Sequence, residues 1–313
     1  MRIIYMGTPD FAVAPLEKLI ENGYEVVLVV TQPDREKGRG RGIAQSPVKE
    51  CALKHGIEVF QPIKIREAQN VEFLKKYDAD IFIVAAFGQI LSEELLNMPK
   101  FGCINIHASL LPKYRGSAPI QWAILNGDSV TGVTIMQMAK GVDTGDILSQ
   151  KSIPITSEDT GESLFDKLMY LGADLLIETL PSIESGEIIP IKQDESQAVH
   201  VGKLSTEMGR IDWSMDAEVL ERYVRGLNSW PSAYTTINGK TLKIWQSKVT
   251  DVSENAKDDI PFGTIIAVGK DSFTVKCRNG ALEVYSLQLE GKKRMSAHDF
   301  MLGYEIKAGQ KLG

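Results

Sequence analysis

The sequence predicts an α/β chain, in which a doubly wound, mostly parallel sheet is followed by a small β-barrel domain. Over residues 1–189 short apolar runs alternate with helical segments, which is typical of a parallel sheet with helices on both faces. After residue 206 the chain offers one helix and then short alternating strands, separated by Asn238-Gly239 and Asn279-Gly280, which favour hairpin turns. We therefore expect a first domain at 1–189, a polar linker at 190–206 and a second domain at 207–313.

The first domain opens with a βαβ unit. A strand is predicted at residues 2–6, an amphipathic helix at about 10–21 and an apolar, buried strand at 24–31. The first turn lacks Gly-x-Gly-x-x-Gly, and the second strand ends at Thr31-Gln32-Pro33, where a dinucleotide-binding fold has an acid for the ribose. NAD binding is therefore disfavoured.

The remaining elements continue this alternation and then change to strands. Helices are predicted at 46–55, 67–77, 118–125 and 160–185, with strands at 58–61, 80–86, 102–107 and 130–138 and an edge strand at 147–155. The second domain is predicted to have a helix at 214–227 and strands at 233–237, 241–249, 263–268, 273–277 and 281–289. Residues 32–45 are too rich in glycine and charge for regular structure.

One predicted strand carries an unusual polar face. Strict alternation over 102–107 places Cys103, Asn105 and His107 on the same face. The next strand, 130–138, leads into a glycine loop that contains Asp143, so an amide, an imidazole and a carboxylate are expected at the ends of neighbouring strands. Ligands of such sheets bind beyond the carboxyl ends of the strands. These side chains suit acyl transfer, because an amide stabilises an oxyanion, an imidazole moves a proton and a carboxylate orients the imidazole.

A purely structural interpretation fits the same residues. An Asn-x-His strand end is also typical of a hydrogen-bonded pair in a core or turn, and Asp-Thr-Gly-Asp is ordinary turn chemistry. No Gly-x-Ser-x-Gly motif surrounds any serine, Ser109 included. If the site is catalytic, direct transfer to an incoming amine is favoured over an acyl-enzyme.

Composition restricts the class of protein. The chain has 313 residues, is 43% hydrophobic and contains three cysteines without paired spacing, which favours a reducing compartment and disfavours disulfides and a zinc site. No apolar run is long enough to span a membrane, and the N-terminus starts directly with a strand, so we expect a cytoplasmic protein.

The charge distribution has one local exception. The net charge of −6 argues against a nucleic-acid partner, yet Arg35, Lys37, Arg39 and Arg41 lie within seven residues, opposed only by Glu36. Arginine alternating with glycine puts cations on a backbone that can adapt to a phosphate chain. A mobile, solvated loop explains the same composition.

Several stretches together resemble a known family. Asn105-x-His107-x-Ser109-Leu110-Leu111-Pro112, followed by Asp143 in Gly-Val-Asp-Thr-Gly-Asp, is similar to the signature of formyltransferases that use 10-formyltetrahydrofolate. Four further stretches resemble the branch of that family that acts on methionyl-tRNA, and the likeness covers nearly the whole chain. They are Met6-Gly7-Thr8-Pro9-Asp10-Phe11-Ala12, Thr31-Gln32-Pro33-Asp34-Arg35, Arg210-Ile211-Asp212-Trp213 and Leu227-Asn228-Ser229-Trp230-Pro231.

The resemblance implies a fold, a reaction and the residues that serve it. The fold would be a Rossmann-like formyltransferase domain followed by an OB-like barrel that helps to hold tRNA. The formyl group of 10-formyltetrahydrofolate would pass to the α-amino group of methionyl initiator tRNA in a monomeric enzyme that needs neither a metal nor a membrane. The implied catalytic residues are Asn105, His107 and Asp143, the folate-binding residues Ser109, Leu110, Leu111 and Pro112, and the tRNA-binding residues Arg35, Lys37, Arg39 and Arg41.

Two alternatives remain at this stage. The first is a formyltransferase for a small amine, such as glycinamide ribonucleotide or an amino sugar nucleotide, which would need neither the second domain nor the Arg-Gly loop. The second is a non-catalytic tRNA-binding protein with a vestigial folate site, against which the intact Asn105, His107 and Asp143 weigh.

Overall fold

A computed structural model describes residues 1–37, 42–251 and 260–313. The chain forms two compact units. Unit 1 comprises Met1–Pro119, Val130–Pro154 and Phe165–Val201, and unit 2 comprises Ile120–Ser129, Ile155–Leu164 and Gly202–Gly313. Among the described residues, no helix combines the length and apolar character that crossing a membrane requires.

The secondary structure follows the predicted alternation. The strands are β1 (Arg2–Gly7), β2 (Glu25–Val30), β3 (Arg35–Lys37), β4 (Gly42–Ala44), β5 (Val59–Phe60), β6 (Ile81–Ala85), β7 (Cys103–His107), β8 (Arg115–Gly116), β9 (Val130–Gln137), β10 (Ile147–Pro154), β11 (His200–Val201), β12 (Ala233–Ile237), β13 (Lys240–Thr250), β14 (Ile265–Val268), β15 (Phe273–Lys276), β16 (Ala281–Leu289) and β17 (Met295–Ser296). The helices are α1 (Val13–Glu21), α2 (Pro47–Lys54), α3 (Ala68–Lys75), α4 (Glu93–Leu96), α5 (Pro119–Leu125), α6 (Gly161–Ser185), α7 (Ala217–Gly226) and α8 (Ala297–Gly303), with short 3₁₀ turns at Asp10–Ala12, Glu195–Gln197 and Thr206–Gly209.

Unit 1 is built on a seven-stranded sheet in the order β10-β9-β7-β6-β1-β2-β5. The five strands from β7 to β5 pair in parallel, whereas β9 is antiparallel to β7, and β10 pairs antiparallel with β9 at the edge. The predicted fold class and the edge position of the strand near 147–155 are therefore confirmed.

Helices cover both faces of this sheet because its central strands are apolar on both sides. On one face, Phe82 and Cys103 pack with buried residues of α3 and α4. On the other face, Gly172 of α6 packs against Ile106 and Val133. Ser46 caps α2 and Ser92 caps α4, each accepting a backbone N–H three residues on.

Two expectations from the sequence are wrong. Residues 32–45 are not wholly irregular, because β3 and β4 pair antiparallel through Arg35–Ala44, Glu36–Ile43 and Lys37–Gly42. Backbone pairing over three residues on each side needs no apolar pattern, so this ribbon has no sequence signal. The strand at 130–138 would have to run parallel to the strand at 102–107 for Asp143 and His107 to follow strand ends at one edge, but it is antiparallel: β9 pairs Gln137 with Ile104 and Thr134 with His107.

Unit 2 contains an antiparallel sheet in the order β12-β13-β16-β15-β14, with β17 paired to β16. Asn238 and Gly239 adopt φ of 49° and 76°, as the predicted two-residue hairpin between β12 and β13 requires. Buried side chains of this sheet, including Leu242, Phe273 and Leu282, form one core with those of α7 and α8. The predicted run of short strands in this part of the chain is confirmed.

The close approach of α6 to the sheet gives a test of the packing that supports β7. A Cβ at Gly172 would lie 2.9 Å from Cγ2 of Ile106 and 3.4 Å from Cγ1 of Val133. We expect Gly172→Leu to lower the free energy of unfolding by about 1–3 kcal/mol through overpacking, seen as a lower urea midpoint by circular dichroism. Gly303→Leu is the control, because that helical glycine is exposed and has nothing within 4 Å of its Cβ position. Equal midpoints for both variants would contradict the packing of α6 on β7 and β9.

Candidate active site

The candidate site lies in unit 1, on the face of β7 that carries Asn105 and His107. Asn105 is half-buried and His107 is buried. Among the described residues, the Asn105 side chain has no hydrogen-bond partner, so its amide is available to a ligand. The predicted alternation of β7 is confirmed, because Ile104 and Ile106 are buried on the opposite face.

The imidazole of His107 lies between two oxygen atoms. Its Nε2 is 3.0 Å from the backbone carbonyl oxygen of Tyr114. A carbonyl oxygen only accepts, so Nε2 carries the hydrogen of this bond. Its Nδ1 is 3.7 Å from Oδ2 of Asp143, within ion-pair range but beyond a hydrogen bond. The ring is therefore held through Nε2, and Nδ1 is the nitrogen beside the carboxylate.

Asp143 reaches His107 by a route that differs from the prediction. Because β9 is antiparallel to β7, β9 ends beside Ile104, at the opposite end of β7 from His107. The loop after β9 therefore has to turn back before its carboxylate can approach the imidazole. Gly145 is central to this turn, because a Cβ there would lie only 1.6 Å from the carbonyl oxygen of Gln137. The expectation that the three groups lie at strand ends on the same edge is wrong, although the structure does bring His107 and Asp143 together.

The carboxylate of Asp143 is fixed by a second contact. The backbone N–H of Gly116 in β8 donates to Oδ2 of Asp143 at 2.8 Å. A Cβ at Gly116, which has φ of +106°, would lie 2.4 Å from the carbonyl oxygen of Val201. This close approach requires glycine, and it brings β8 beside β11, where Arg115–His200 and Gly116–Val201 pair in parallel.

Two buried residues that the sequence did not single out hold this region together. Nε2 of Gln193 donates to the carbonyl oxygens of Asp143 and Gly145 at 2.8 Å and 2.7 Å. Its Oε1 accepts from Nε of Arg115 at 2.9 Å, and the guanidinium of Arg115 forms a bidentate pair with Glu195. The bonds from Arg115 hold the pKa of the Glu195 carboxyl below its ordinary value. The Arg-Gly pair at 115–116 is visible in the sequence, but nothing in the pattern around residue 193 marks a buried glutamine.

The segment Ser109–Pro112 follows β7 and borders the site. The hydroxyl of Ser109 is fully buried and donates to the carbonyl oxygen of Lys113 at 2.6 Å. Leu111 is buried, and its N–H donates to the hydroxyl of Thr134 at 3.1 Å. Leu110 and Pro112 are half-buried, so they present the more accessible part of this segment.

Neither the nearby hydroxyl nor the nearby thiol is a suitable nucleophile. Within the described parts of the chain no base is hydrogen-bonded to the Ser109 hydroxyl, which donates to a backbone carbonyl. Burial raises the pKa of the Cys103 thiol to about 12, so it stays protonated at neutral pH. The site therefore favours direct attack by an external amine.

The predicted tRNA-binding residues lie only partly within the described chain. Arg35 is exposed at the start of β3, and Lys37 ends that strand. Arg39 and Arg41 lie outside the described residues. The base of the loop is anchored by Asp34, which accepts from Nζ of Lys49 at 2.6 Å and from Nε2 of Gln61 at 2.7 Å. The hydrogen bond from Lys49 lowers the pKa of the Asp34 carboxyl.

Comparison with known proteins covers the chain almost from end to end. A family model described as formyl transferase matches residues 1–180, and one described as the formyl transferase C-terminal domain matches residues 203–305. A protein named methionyl-tRNA formyltransferase from Agathobacter rectalis is 55% identical over 309 residues, covering 99% of this chain and 98% of the relative. A protein of the same name from Lachnospira eligens is 49% identical over 314 residues, covering both chains completely.

A solved structure shares the fold at lower identity. The N-formyltransferase from Helicobacter canadensis, crystallised with folinic acid and dTDP-3-aminofucose, superposes with a TM-score of 0.67 at 20% identity, over 94% of this chain and 99% of that one. With two family models that together match most of the sequence, and relatives near 50% identity over the full length, the chain belongs to the formyl transferase family.

Proposed function

We propose that this protein transfers the formyl group of 10-formyltetrahydrofolate to the α-amino group of methionyl initiator tRNA, giving N-formylmethionyl-tRNA for translation initiation. The observation that carries the chemistry is the grouping of Asn105, His107 and Asp143, with the imidazole 3.7 Å from the carboxylate. The choice of acceptor is supported by the 55% identity, over nearly the full chain, to a protein named methionyl-tRNA formyltransferase. The protein is proposed to act as a cytoplasmic monomer, with domains at 1–189 and 207–313 joined by residues 190–206.

The reaction proceeds by direct attack of the amine on the donor. The amine nitrogen forms a bond to the formyl carbon, and the carbonyl oxygen becomes a tetrahedral oxyanion. Collapse of this intermediate breaks the bond from the carbon to N10 of the folate, while the proton lost by the attacking amine is delivered to N10. Formyl is thus exchanged between two nitrogen atoms without any change of oxidation state.

Asn105 and His107 supply the protein's part of this chemistry. The Asn105 amide donates to the oxyanion, and the protonated imidazole adds a second, charged donor. Because Nε2 of His107 is bonded to the Tyr114 carbonyl, Nδ1 is the ring nitrogen that serves the reacting atoms. Asp143 stands beside Nδ1 and orients the imidazole, which either donates to the oxyanion or relays the proton from the amine to N10.

The folate is proposed to lie along Ser109–Pro112. Buried contacts of Ser109 and Leu111 keep this segment in place. Backbone groups would supply polar contacts, and the half-buried Leu110 and Pro112 an apolar wall for the flat ring system. The buried contacts hold the apolar surface of Leu110 and Pro112 in one position, which suits binding of the folate ring in one orientation.

The tRNA is proposed to contact the loop that carries Arg35, Lys37, Arg39 and Arg41. The two ends of this loop are held together by the ion pair between Asp34 and Lys49. A hydrogen bond of 2.7 Å between the hydroxyls of Thr31 and Ser46 joins them as well. Because the two ends of the loop are anchored, its cations can be presented to a phosphate chain from a fixed position on the protein.

An acceptor assay tests the proposed function directly. Labelled formyl from 10-formyltetrahydrofolate should pass to methionyl initiator tRNA and not to glycinamide ribonucleotide, with uncharged tRNA as the control. Preferred use of glycinamide ribonucleotide would indicate a small-amine formyltransferase. Binding of tRNA without any transfer would indicate a non-catalytic tRNA-binding protein.

Substitution of the two donors tests the site. We expect His107→Ala and Asn105→Ala each to lower kcat by about 10²- to 10³-fold, the usual effect of removing one oxyanion donor. Circular dichroism should show that both variants fold, and Asn97→Ala, an exposed change at the end of α4, should keep full activity. Near-normal turnover by either site variant would remove Asn105 and His107 from the mechanism.

The loop is tested by the salt dependence of tRNA binding. Changing Arg35, Arg39 and Arg41 together to Ala should weaken binding of charged tRNA, because contacts to phosphates are lost, while folate binding stays intact. Each lost contact should also make the slope of log affinity against log salt concentration shallower by roughly 0.7 to 0.9. The charge-matched control replaces Lys64, Arg66 and Lys76, which are exposed. If the loop variant and the wild type give the same affinity and slope, this loop does not contact tRNA.

A further inference from the structure

Residues 191–201, here called the active-site strap, lie between the two regions that the family models match, which end at 180 and begin again at 203. The strap makes ordered contacts along its length. Ile191 pairs with Ile147 at the start of β10, and Val201 pairs with Gly116. Between these points it crosses the Asp143 loop and the segment that contains Arg115.

Gln193 connects the strap to the Asp143 loop through its side-chain amide. Both hydrogens of its amide are used, on the carbonyl oxygens of Asp143 and Gly145, and its oxygen accepts from Arg115. The residue is 9% exposed, so these bonds are made largely away from water. One side chain thus fixes the backbone on both sides of Thr144.

Arg115 in turn fixes Gln193. Its side chain is only 1% exposed, and its three donor atoms are satisfied by Gln193 and by both carboxylate oxygens of Glu195 at 2.9 Å and 2.7 Å. A buried cation needs such partners, because leaving it unpaired is strongly destabilising. The backbone N–H of Arg115 also donates to the carbonyl of Val199 at 2.8 Å, so the strap holds this residue at two places.

The Asp143 loop needs this support because its backbone is strained. Asp143 has φ of +53°, in the left-handed region, which disfavours residues with a side chain, although aspartate less than most. Strained residues at functional sites persist when surrounding contacts over-determine their conformation. Gln193 bonds the carbonyl of Asp143, while Gly116, on the strand paired with the strap, bonds its carboxylate.

We propose that the strap is a positioning element of the active site, in which Gln193, supported by Arg115 and Glu195, sets the carboxylate of Asp143 against the imidazole of His107. Gln193 itself contacts the backbone of the loop, not the imidazole, and is a positioning residue. The inference rests on the proposed function only in its prediction for kcat, which requires that the protein transfers formyl groups. The placement of His107 and Asp143 is measurable without substrate.

The kinetic test compares three variants. Gln193→Ala removes the whole contact, and Gln193→Glu keeps the size and the acceptor for Arg115 but cannot donate to the two carbonyl oxygens. Both should lower kcat by about 10- to 100-fold with little change in KM for 10-formyltetrahydrofolate, since a small displacement of a catalytic group costs this much. The loss should not exceed that of Asp143→Asn. Gln197→Ala is the matched control, because Gln197 is exposed in the same strap and its side chain bonds, among the residues that the structure describes, to Asp194 alone.

A spectroscopic test reads the geometry directly. The protein has four histidines, so selective ¹⁵N labelling gives few imidazole signals, and His107→Asn identifies that of His107. The His107 signals should shift in both Gln193 variants and stay unchanged in Gln197→Ala. If Gln193→Ala does not fold, the isosteric Gln193→Glu decides the question.

The outcomes separate the two proposals. A wild type without formyl transfer would refute the proposed function, and the nuclear magnetic resonance comparison would still test the strap. Wild-type kcat and unshifted His107 signals in Gln193→Glu would overturn the positioning role. An equal effect of Gln197→Ala would also overturn it, because the strap would then contribute only general stability.

Discussion

The hydrogen bond from the backbone N–H of Gly116 to the carboxylate of Asp143 is the contact on which the rest of the site depends. It joins β8 to the loop that carries Asp143, whereas the contact from Asp143 to His107 is 3.7 Å long and too weak to hold a loop. A hydrogen bond to a charged group contributes about 1.5–3 kcal/mol, and a left-handed residue costs about 1–2 kcal/mol. The bond therefore offsets the strain at Asp143, and the two further bonds from Gln193 hold the loop backbone in addition.

The polarity of residues 190–206 has a structural reason. A segment that packs on the Asp143 loop has to satisfy backbone carbonyls of that loop and a buried guanidinium, and apolar side chains can do neither. Gln193 and Glu195 meet these needs for Asp143, Gly145 and Arg115. The composition that is typical of a linker is therefore also the composition that this strap requires.

Much of the fold follows from the sequence, because apolar alternation and turn residues determine the elements locally. Asn105 and His107 could be placed together because they are two residues apart on one strand. The direction of β9 could not be predicted, since a strand buried on both faces is apolar whether it runs parallel or antiparallel to its neighbour. Gln193 was missed because its partners are 48 and 50 residues away, and no local pattern encodes such a contact.

The sulfur of Cys103 lies two residues before Asn105 on the same face of β7, in a protein that handles an activated carbonyl group. Because burial raises its pKa to about 12, this thiol stays protonated at neutral pH. The sulfur also has no exposed surface and donates to the carbonyl oxygen of Leu95. The strand that presents the donors for acyl chemistry therefore carries a soft nucleophile in an unreactive form, so this thiol does not compete with an incoming amine.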